Sequence, residues 1–548
     1  MIIPYTENSS LLTWEGIIVK SMNIIIKRLF LFTRIIIILV FVSCCDGSAQ
    51  PEPQPNPNPS PSNNDPLVAD ASYPLFFRGD GTNSNFFRIP ALCTLSNGTV
   101  IAAIDGRMTD PSDSPNNIEL KIKTLELGSD TWQFIDFSHN FKDHANEHPN
   151  APGTVLSSAS FIDPCIAEDT ERGRTFLMID AFPWNSGVLG GNAVAGSGLK
   201  TINGIKYLAL TDGEAIAAND RSMANFRHTV REGDIIWHDP TNTPTEYMVN
   251  SRFEVLQKVG DEYQPLYVNQ LLNNSVSVPM NVFYQRSLFR VLRTSYLFMF
   301  YSDDYGQTWS DPINLNYLKK DDEVAWISGC SRGLQLKTGN YKGRVMFPVY
   351  NLRSTADVVY TDDGGETWKR STNMAGVTGQ SNISITEAEL VEMPEGHVAM
   401  FARTPHGFIA LTYSYTGGET WARTQNTPLL NPNCNISAIS YSRTIDGKYA
   451  IFVSYPNSET RRENGTITAG LVSITGRDGE NNPVYSIDWK KRNLVFPGRF
   501  GYSSLTEMPD SRIAMLAEED GNFTRTIFSV FSVDKLVSGE IGTTNVND

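Results

Sequence analysis

The sequence predicts an all-β fold, a six-bladed β-propeller with a small inserted β-rich domain. One eight-residue pattern, with Ser, Thr, Asp, Gly and a closing Trp, recurs at Ser302–Trp309, Thr361–Trp368 and Ser414–Trp421. The closing tryptophans lie 59 and 53 residues apart, close to the length of one propeller blade. Short apolar runs such as Val398–Ala402 are bounded by Gly, Asp or Asn, which is typical of strands joined by tight turns. At about 40 to 60 residues for each blade, six blades fit the length of the chain.

The repeated pattern has a physical logic of its own. Ser, Thr and Asp side chains bond the backbone of a turn, Gly supplies a positive φ, and Trp anchors the turn to the blade. The third copy carries Thr416 where the others carry Asp, and Gly128–Trp132 is a looser fourth copy. These patterns indicate architecture rather than activity, so the chemistry must come from other residues.

One region, from about Gly187 to Tyr284, does not follow this blade-length repeat. It lacks the repeated pattern, and it contains a predicted hairpin at Lys200–Tyr207 followed by a polar stretch. We interpret it as an inserted β-rich domain, and an ordinary blade with long loops is the alternative. The predicted boundaries are the propeller at 71–186 and 285–535, the insert at 187–284, and a C-terminal tail at 536–548.

The N-terminal residues are predicted to form an export segment. The apolar run Ile35–Val42 follows three basic side chains and is too short to span a bilayer. It ends at Cys44 and Cys45, in a pattern that resembles a bacterial lipoprotein cleavage site, and either cysteine is a candidate for lipidation. A plain secretory signal or an uncleaved anchor is the alternative, and Met22 is a more natural start than the first residue. We expect export segment 1–45, a Pro-, Asn- and Ser-rich disordered tether at 46–70, and a protein lipid-anchored at the bacterial cell envelope or secreted.

Composition excludes some classes of function. The chain has 548 residues and a formal net charge of −15, with no basic stripe, which argues against nucleic acid as a partner. Four cysteines remain beyond the export segment, without a CxxC pair or a His at metal spacing, so no zinc site is expected. We interpret them as buried small residues, although their pairing stays open; they are Cys93, Cys165, Cys330 and Cys434.

Phe87–Ala91 contains Phe-Arg-Ile-Pro, the motif that opens sialidase domains. Together with the repeated pattern, known there as the Asp-box, it makes the chain resemble bacterial exo-sialidases (neuraminidases) over nearly all of Tyr73 to Val533. The resemblance implies an exo-α-sialidase, a glycoside hydrolase that acts on sialylated glycans with no metal or organic cofactor. A monomer is expected.

The resemblance also implies that three arginines from different blades clamp the carboxylate of sialic acid. A guanidinium suits this task because its planar donors bind a carboxylate through two parallel hydrogen bonds. The motif makes Arg88 the first, and Arg403, at the end of the segment that begins at Glu387, the second. The third is Arg462, with Arg461 as the alternative.

The implied nucleophile is a tyrosine, because an attacking carboxylate would be repelled by the carboxylate at the anomeric carbon. Phe500–Thr506 resembles the nucleophile strand of the family and makes Tyr502 the candidate. Glu387 is the matching base, and Glu389, two residues on and on the same strand face, is the alternative.

The resemblance places the acid/base on a loop. Asp113, six residues after Arg107, is the candidate, and Asp110 is the alternative. The counterpart of Arg107 contacts the O4 side of the sugar, and Asp163 is a possible substrate contact. Glu518 resembles the carboxylate that orients the first arginine, with Glu519 as the alternative.

Two other functions share these residues. An intramolecular trans-sialidase would release an anhydro sugar, and it needs a hydrophobic wall to which Trp237 or Tyr247 of the insert could contribute. A lectin without activity would have lost the Tyr, Glu or Asp, all of which are present.

Overall fold

The computed structural model describes residues 66–141, 159–188, 193–212, 223–269, 277–377, 381–519 and 521–538. Its strands form six sheets of four to six strands that make the blades, and the predicted six-bladed propeller is confirmed. The predicted export segment and most of the tether lie outside the described residues. Over the described ranges, no helix is long and apolar enough to cross a membrane.

The first three blades follow one another along the chain. Blade 1 consists of β2 (Phe86–Thr94), β3 (Val100–Arg107), β4 (Ile118–Leu125) and β5 (Gln133–Ile135). Blade 2 consists of β6 (Ser160–Asp169), β7 (Arg174–Phe182), β18 (Tyr296–Ser302) and β19 (Ile313–Asn314), and β21 (Ser331–Arg332) pairs with β6. Blade 3 consists of β20 (Trp326–Ser328), β22 (Leu334–Gln335), β23 (Val345–Asn351), β24 (Thr355–Thr361), β25 (Lys369–Arg370) and β26 (Ala375–Gly376).

The last three blades are four-stranded. Blade 4 consists of β27 (Ala388–Met393), β28 (His397–Ala402), β29 (Phe408–Ser414) and β30 (Gln425–Leu430). Blade 5 consists of β31 (Ser437–Ser440), β32 (Tyr449–Pro456), β33 (Glu463–Arg477) and β34 (Pro483–Arg499). Blade 6 consists of β35 (Ser503–Glu507), β36 (Ile513–Glu518), β37 (Arg525–Phe531) and β1 (Ala71–Phe77). An α-helix follows at Val533–Ser538, and 3-10 turns lie at Met223–Asn225, Glu232–Asp234, Leu315–Leu318 and Pro394–Gly396.

The first strand of the propeller closes the ring. β1 pairs antiparallel with β37, with Ala71 opposite Val530 and Phe77 opposite Arg525. The start and the end of the propeller therefore share one sheet, and blade 6 is next to blade 1.

The repeated pattern forms the turns between β18 and β19 in blade 2, between β24 and β25 in blade 3, and between β29 and β30 in blade 4. In the first copy, the Asp304 carboxylate accepts hydrogen bonds from the Thr308 backbone N–H at 2.9 Å and from its hydroxyl at 2.6 Å. In the third copy, the Thr416 hydroxyl oxygen accepts from the Thr420 N–H at 2.9 Å and lies 2.8 Å from the Thr420 hydroxyl. A threonine hydroxyl thus reproduces the turn that the aspartate makes elsewhere.

A separate eight-stranded sheet lies between β7 and β18, in the region interpreted as an insert. Its strands are β8 (Leu199–Ile202), β9 (Ile205–Thr211), β10 (His228–Val230), β11 (Ile235–His238), β12 (Thr243–Val249), β13 (Val255–Val259), β14 (Glu262–Pro265) and β17 (Arg290–Val291), with β15 (Tyr267–Asn269) and β16 (Ser277–Pro279) as a separate pair. β17 pairs with β9, so this sheet continues past the predicted boundary at 284. Its core joins that of blade 2, where the ring of Phe253 stacks on Phe298 with centroids 5.0 Å apart.

Two inner strands are interrupted where they approach the propeller axis. The register of β2 shifts between Arg88 and Ala91, and that of β6 shifts between Ile162 and Cys165. Within these breaks Ile89 and Asp163 adopt φ values of 59° and 65°, which are costly for residues with a side chain, and for a β-branched one above all. A bulge of this kind turns neighbouring side chains out of the strand's regular alternation, here toward the axis.

Candidate active site

Most of the side chains singled out in the sequence meet in one cavity of about 320 Å³, where inner strands of several blades converge. Its lining includes Arg88, Asp113, Asp163, Glu387, Arg403, Arg462 and Tyr502. These residues are far apart in the sequence, and the propeller brings them together.

Tyr502 and Glu387 form the shortest polar contact in the cavity. The Tyr502 hydroxyl donates to Glu387 Oε1 at 2.6 Å, and both residues are buried. Burial raises the pKa of Tyr502 well above its usual range, and Glu387 raises it further, while Arg403 and Arg462 lower it. The phenol is therefore protonated at rest, with its proton directed at a carboxylate that can receive it.

Arg403 holds this pair in place. Its Nη1 donates to both carboxylate oxygens of Glu387 at 2.9 Å and to the Tyr502 oxygen at 2.8 Å. Its Nε donates to the Asn433 side chain at 2.8 Å. Glu389, the alternative base, is fully buried and does not line the cavity.

Glu518 joins the first and last blades at the cavity. One carboxylate oxygen accepts from Arg88 Nε at 3.1 Å and from the Ile89 backbone N–H at 3.0 Å, and the other accepts from the Tyr502 N–H at 3.2 Å. Its alternative, Glu519, instead pairs with Arg525 at 3.1 Å. Glu518 thus orients both a guanidinium and the strand that carries the tyrosine.

Two aromatic rings flank Arg88. Its guanidinium carbon lies 5.3 Å from the Tyr502 ring centroid and 4.7 Å from that of Phe523. Stacking on ring faces leaves the guanidinium edge free to bind a planar anion.

Arg462 completes a set of three guanidiniums. It donates to the Asn433 backbone oxygen at 3.3 Å, and its guanidinium carbon lies 5.4 Å from the Tyr502 ring centroid. Arg461 is exposed and is not among the residues that line the cavity. With Arg88 and Arg403, this arginine makes the cavity a site for a carboxylate, against the negative charge of the whole chain.

Asp113 lines the same cavity. It accepts from Arg107 Nη1 at 2.8 Å, and its Oδ1 lies 3.6 Å from Arg88 Nη1. Asp110 instead accepts from the Ser112 backbone N–H at 2.7 Å in an exposed turn. The Arg107 side chain is fully buried behind Asp113 and does not line the cavity, so its expected contact with the sugar stays a prediction.

The loop that carries Asp113 is held by several contacts. The Asn116 side chain donates to the Asp110 and Ser112 backbone oxygens at 3.0 and 2.8 Å. Gly187, from the first segment after β7, packs so closely that an added Cβ would lie 1.8 Å from the Ser114 oxygen. The start of the insert therefore presses on the residue next to Asp113.

Asp163 lines the cavity beside this loop. Its backbone N–H donates to Asp105 Oδ1 at 3.1 Å, which fixes the left-handed turn. Burial and the neighbouring Asp105 and Asp180 carboxylates raise the pKa of Asp163 well above its usual range. A protonated Asp163 can donate a hydrogen bond to a bound ligand.

The sequence patterns missed three residues. Asn433 connects Arg403 and Arg462, and its φ of 57° is typical of an Asn in a turn after Pro. Phe523 carries no local signal, whereas Asp105 stands two residues before Arg107 on one strand and could have been identified as its partner. Trp237 and Tyr247, suggested as part of a wall, pack within the insert and do not line the cavity.

The remaining chemistry of the described part of the chain is simple. Across the described ranges, no group of three or more His, Cys, Asp or Glu side chains is arranged to hold a metal ion. The four cysteines beyond the export segment are buried and free, and Cys330 and Cys434 pack beneath Tyr502.

Comparison with known proteins gives consistent matches. Residues 247–515 match the family model of the BNR repeat-like domain. The chain is 35% identical to an anhydrosialidase of Macrobdella decora over 474 residues, which is 82% of this chain and 60% of that protein. It is 33% identical to sialidase B of Streptococcus pneumoniae over 497 residues, 85% of this chain and 66% of that protein, so it spans less than two thirds of both relatives. The crystal structure of an intramolecular trans-sialidase from Ruminococcus gnavus, in complex with oseltamivir carboxylate, superposes with a TM-score of 0.72 at 34% identity, covering 84% of this chain and 97% of that one.

Proposed function

Because the chain belongs to the sialidase family with BNR repeats, we propose that it removes terminal sialic acid from glycoconjugates, as a retaining exo-α-sialidase. One observation carries the proposal. The hydroxyl of Tyr502 donates to Glu387 at 2.6 Å inside a cavity lined by three guanidiniums. This combination offers a carboxylate clamp and a neutral nucleophile with a base at hand.

The first step would form a sialyl-enzyme. Arg88, Arg403 and Arg462 bind the substrate carboxylate, and Tyr502 attacks the anomeric carbon as its proton passes to Glu387. The bond from that carbon to the leaving oxygen breaks, and Asp113 gives this oxygen a proton. The oxocarbenium-like transition state carries positive charge next to the substrate's own carboxylate, which the clamp holds in place.

The second step would return the enzyme to its starting state. Asp113, now ionised, takes a proton from water, and the hydroxide attacks the anomeric carbon. The bond to the Tyr502 oxygen breaks, and Glu387 returns the proton to it. Two inversions at one carbon retain its configuration.

A second candidate is intramolecular transfer, in which a hydroxyl of the sugar itself replaces water and an anhydro sugar is released. It is supported by the apolar side chains of the cavity lining. The apolar members of that lining are Ile89, Ile162, Phe182, Val188, Ile327, Leu352 and Pro405. Relatives named as an anhydrosialidase and an intramolecular trans-sialidase point the same way.

The test is to incubate the purified protein with a fluorogenic α-sialoside and to identify the released sugar by mass spectrometry. Tyr502→Phe removes the nucleophilic oxygen. Tyr455→Phe is the matched control, because its buried hydroxyl lies 2.9 Å from Thr468 and outside the cavity.

Free sialic acid from the wild type and the control, with almost none from Tyr502→Phe, is the expected result. An anhydro product with the same dependence on Tyr502 would select the second candidate. Binding of the sialoside without release by any variant would identify a lectin and refute the mechanism.

A further inference from the structure

The position of Asp113 and its protonation place opposite demands on the charges around it. Burial would raise the pKa of Asp113, but the Arg107 and Arg88 guanidiniums outweigh burial and hold that pKa below its usual value. A general acid must carry its proton when the leaving group departs. The cation that positions Asp113 therefore opposes the protonation that the proposed reaction requires.

Arg107 has a second partner that bears on this conflict. Its Nη2 donates to Asp105 Oδ2 at 2.7 Å, while its Nη1 donates to Asp113 at 2.8 Å and to the Pro111 oxygen at 2.6 Å. Asp105 and Arg107 are both fully buried, on the same face of β3. One guanidinium is thus shared between a buried carboxylate and the candidate acid/base.

We propose that Asp105 is a positioning residue for the acid/base step, which neutralises and orients Arg107 so that Asp113 is held in place without being locked in its ionised form. The proposal rests on the proposed sialidase function. It assigns a task to a residue that does not touch the cavity.

The other charged groups around this pair support that task. Arg88 and Arg462 also act on Asp113, but the bound substrate carboxylate would occupy them, whereas Arg107 is out of its reach. Burial and the neighbouring Asp105 carboxylate raise the pKa values of Asp163 and Asp180 well above the usual range, which favours their neutral forms.

Asp105 differs from these two carboxylates because it has a guanidinium partner. Burial raises the pKa of Asp105 to about 7, although the charge and hydrogen bond of Arg107 oppose that rise. At pH values above this pKa, Asp105 is an anion that balances the charge of Arg107.

The test is the pH dependence of kcat/KM for Asp105→Asn. Removing this anion leaves the Arg107 charge uncompensated, which favours the ionised form of Asp113. The Asp105 charge acts on Asp113 across the width of one guanidinium. By Coulomb's law, its loss should move the alkaline limb of the kcat/KM profile to lower pH by about one unit. The loss of kcat/KM in Asp105→Asn should be larger with an alkyl leaving group, such as that of sialyllactose, than with a nitrophenyl group, which departs without a proton.

Asp357→Asn is the matched control. Asp357 is a buried carboxylate bound to a buried arginine, Arg370, at 2.6 Å in blade 3, with no contact to the cavity. The Asp357→Asn protein should be less stable than the wild type, but the alkaline limb of its kcat/KM profile should stay at the same pH. The proposal would be overturned by a folded Asp105→Asn protein whose alkaline limb lies at the wild-type pH and whose kcat/KM changes equally on the two substrates.

A second variant covers failure of Asp105→Asn to fold. Arg107→Lys keeps a cation beside Asp105 but cannot bond both carboxylates, so the limb should move to higher pH as Asp113 loses its charged donor. If the alkaline limb of Arg107→Lys lies at the same pH as that of the wild type, the proposal is refuted as well. Because every comparison is made against an active wild type, absence of sugar release by the wild type refutes the proposed function instead.

Discussion

The contact between the insert and the acid/base loop can be broken by a single methyl group. A Cβ at residue 187 would lie 1.8 Å from the Ser114 backbone oxygen and 2.3 Å from its carbonyl carbon, whereas ordinary contact begins at 3.4 Å. Because the obstacle is backbone, Gly187→Ala must move the loop or the insert segment by about 1.6 Å to reach that distance. Asp113 is the residue before Ser114, so the displacement reaches the candidate acid directly.

A misplacement of about 1 Å typically costs about a hundredfold in rate, so we expect a drop of that order in kcat with an alkyl leaving group. A nitrophenyl sialoside should lose less, because its departure needs little help from Asp113. The assay is steady-state kinetics on both substrates, with thermal unfolding as a check on the fold. Gly479→Ala is the control, since nothing lies within 4 Å of a Cβ there and its φ is not positive. A folded Gly187→Ala protein with wild-type kcat on the alkyl substrate would refute the reasoning.

Three further outcomes are expected. Arg403→Lys should lower kcat/KM by about ten- to a hundredfold, because an ammonium cannot keep the bond that Nε makes to Asn433 and also offer a carboxylate two parallel donors; an unchanged value would exclude this arginine from the clamp. Thr416→Asp should raise the melting temperature slightly by restoring the charged acceptor of the third turn, and a fall would show that the threonine pair there is the better arrangement. Burial lowers the pKa of Lys319 to about 7, so the unfolded chain binds more protons there and this residue makes stability rise with pH from about 7 to about 10. Lys319→Met should flatten that rise in urea unfolding, and an unchanged slope between the two proteins would show that the buried amine stays charged.

Local patterns predicted most of the fold and of the candidate site, and their limits have physical causes. The repeated turn is specified by side chains within eight residues, which is why the blades could be anticipated even where Thr416 replaces Asp. The motif around Arg88 and the strand around Tyr502 are also local, so these residues could be named before their contact was known. The burial of Arg107 depends on the loop after β3, in which Pro111 and Asp113 accept hydrogen bonds from its Nη1. The position of Phe523 over Arg88 depends on two blades that are adjacent only once the ring is closed, and no pattern along the chain encodes it.

The first and last blades contact each other at the cavity. β1 belongs to the last blade, and Glu518 of that blade holds Arg88 of the first together with the backbone of Tyr502. A chain that has built only the first five blades lacks Tyr502 and lacks the Glu518 carboxylate that binds Arg88 Nε. The proposed reaction therefore requires the closed ring. The appearance of activity during refolding would then time that closure, and no partly assembled intermediate would cleave a substrate.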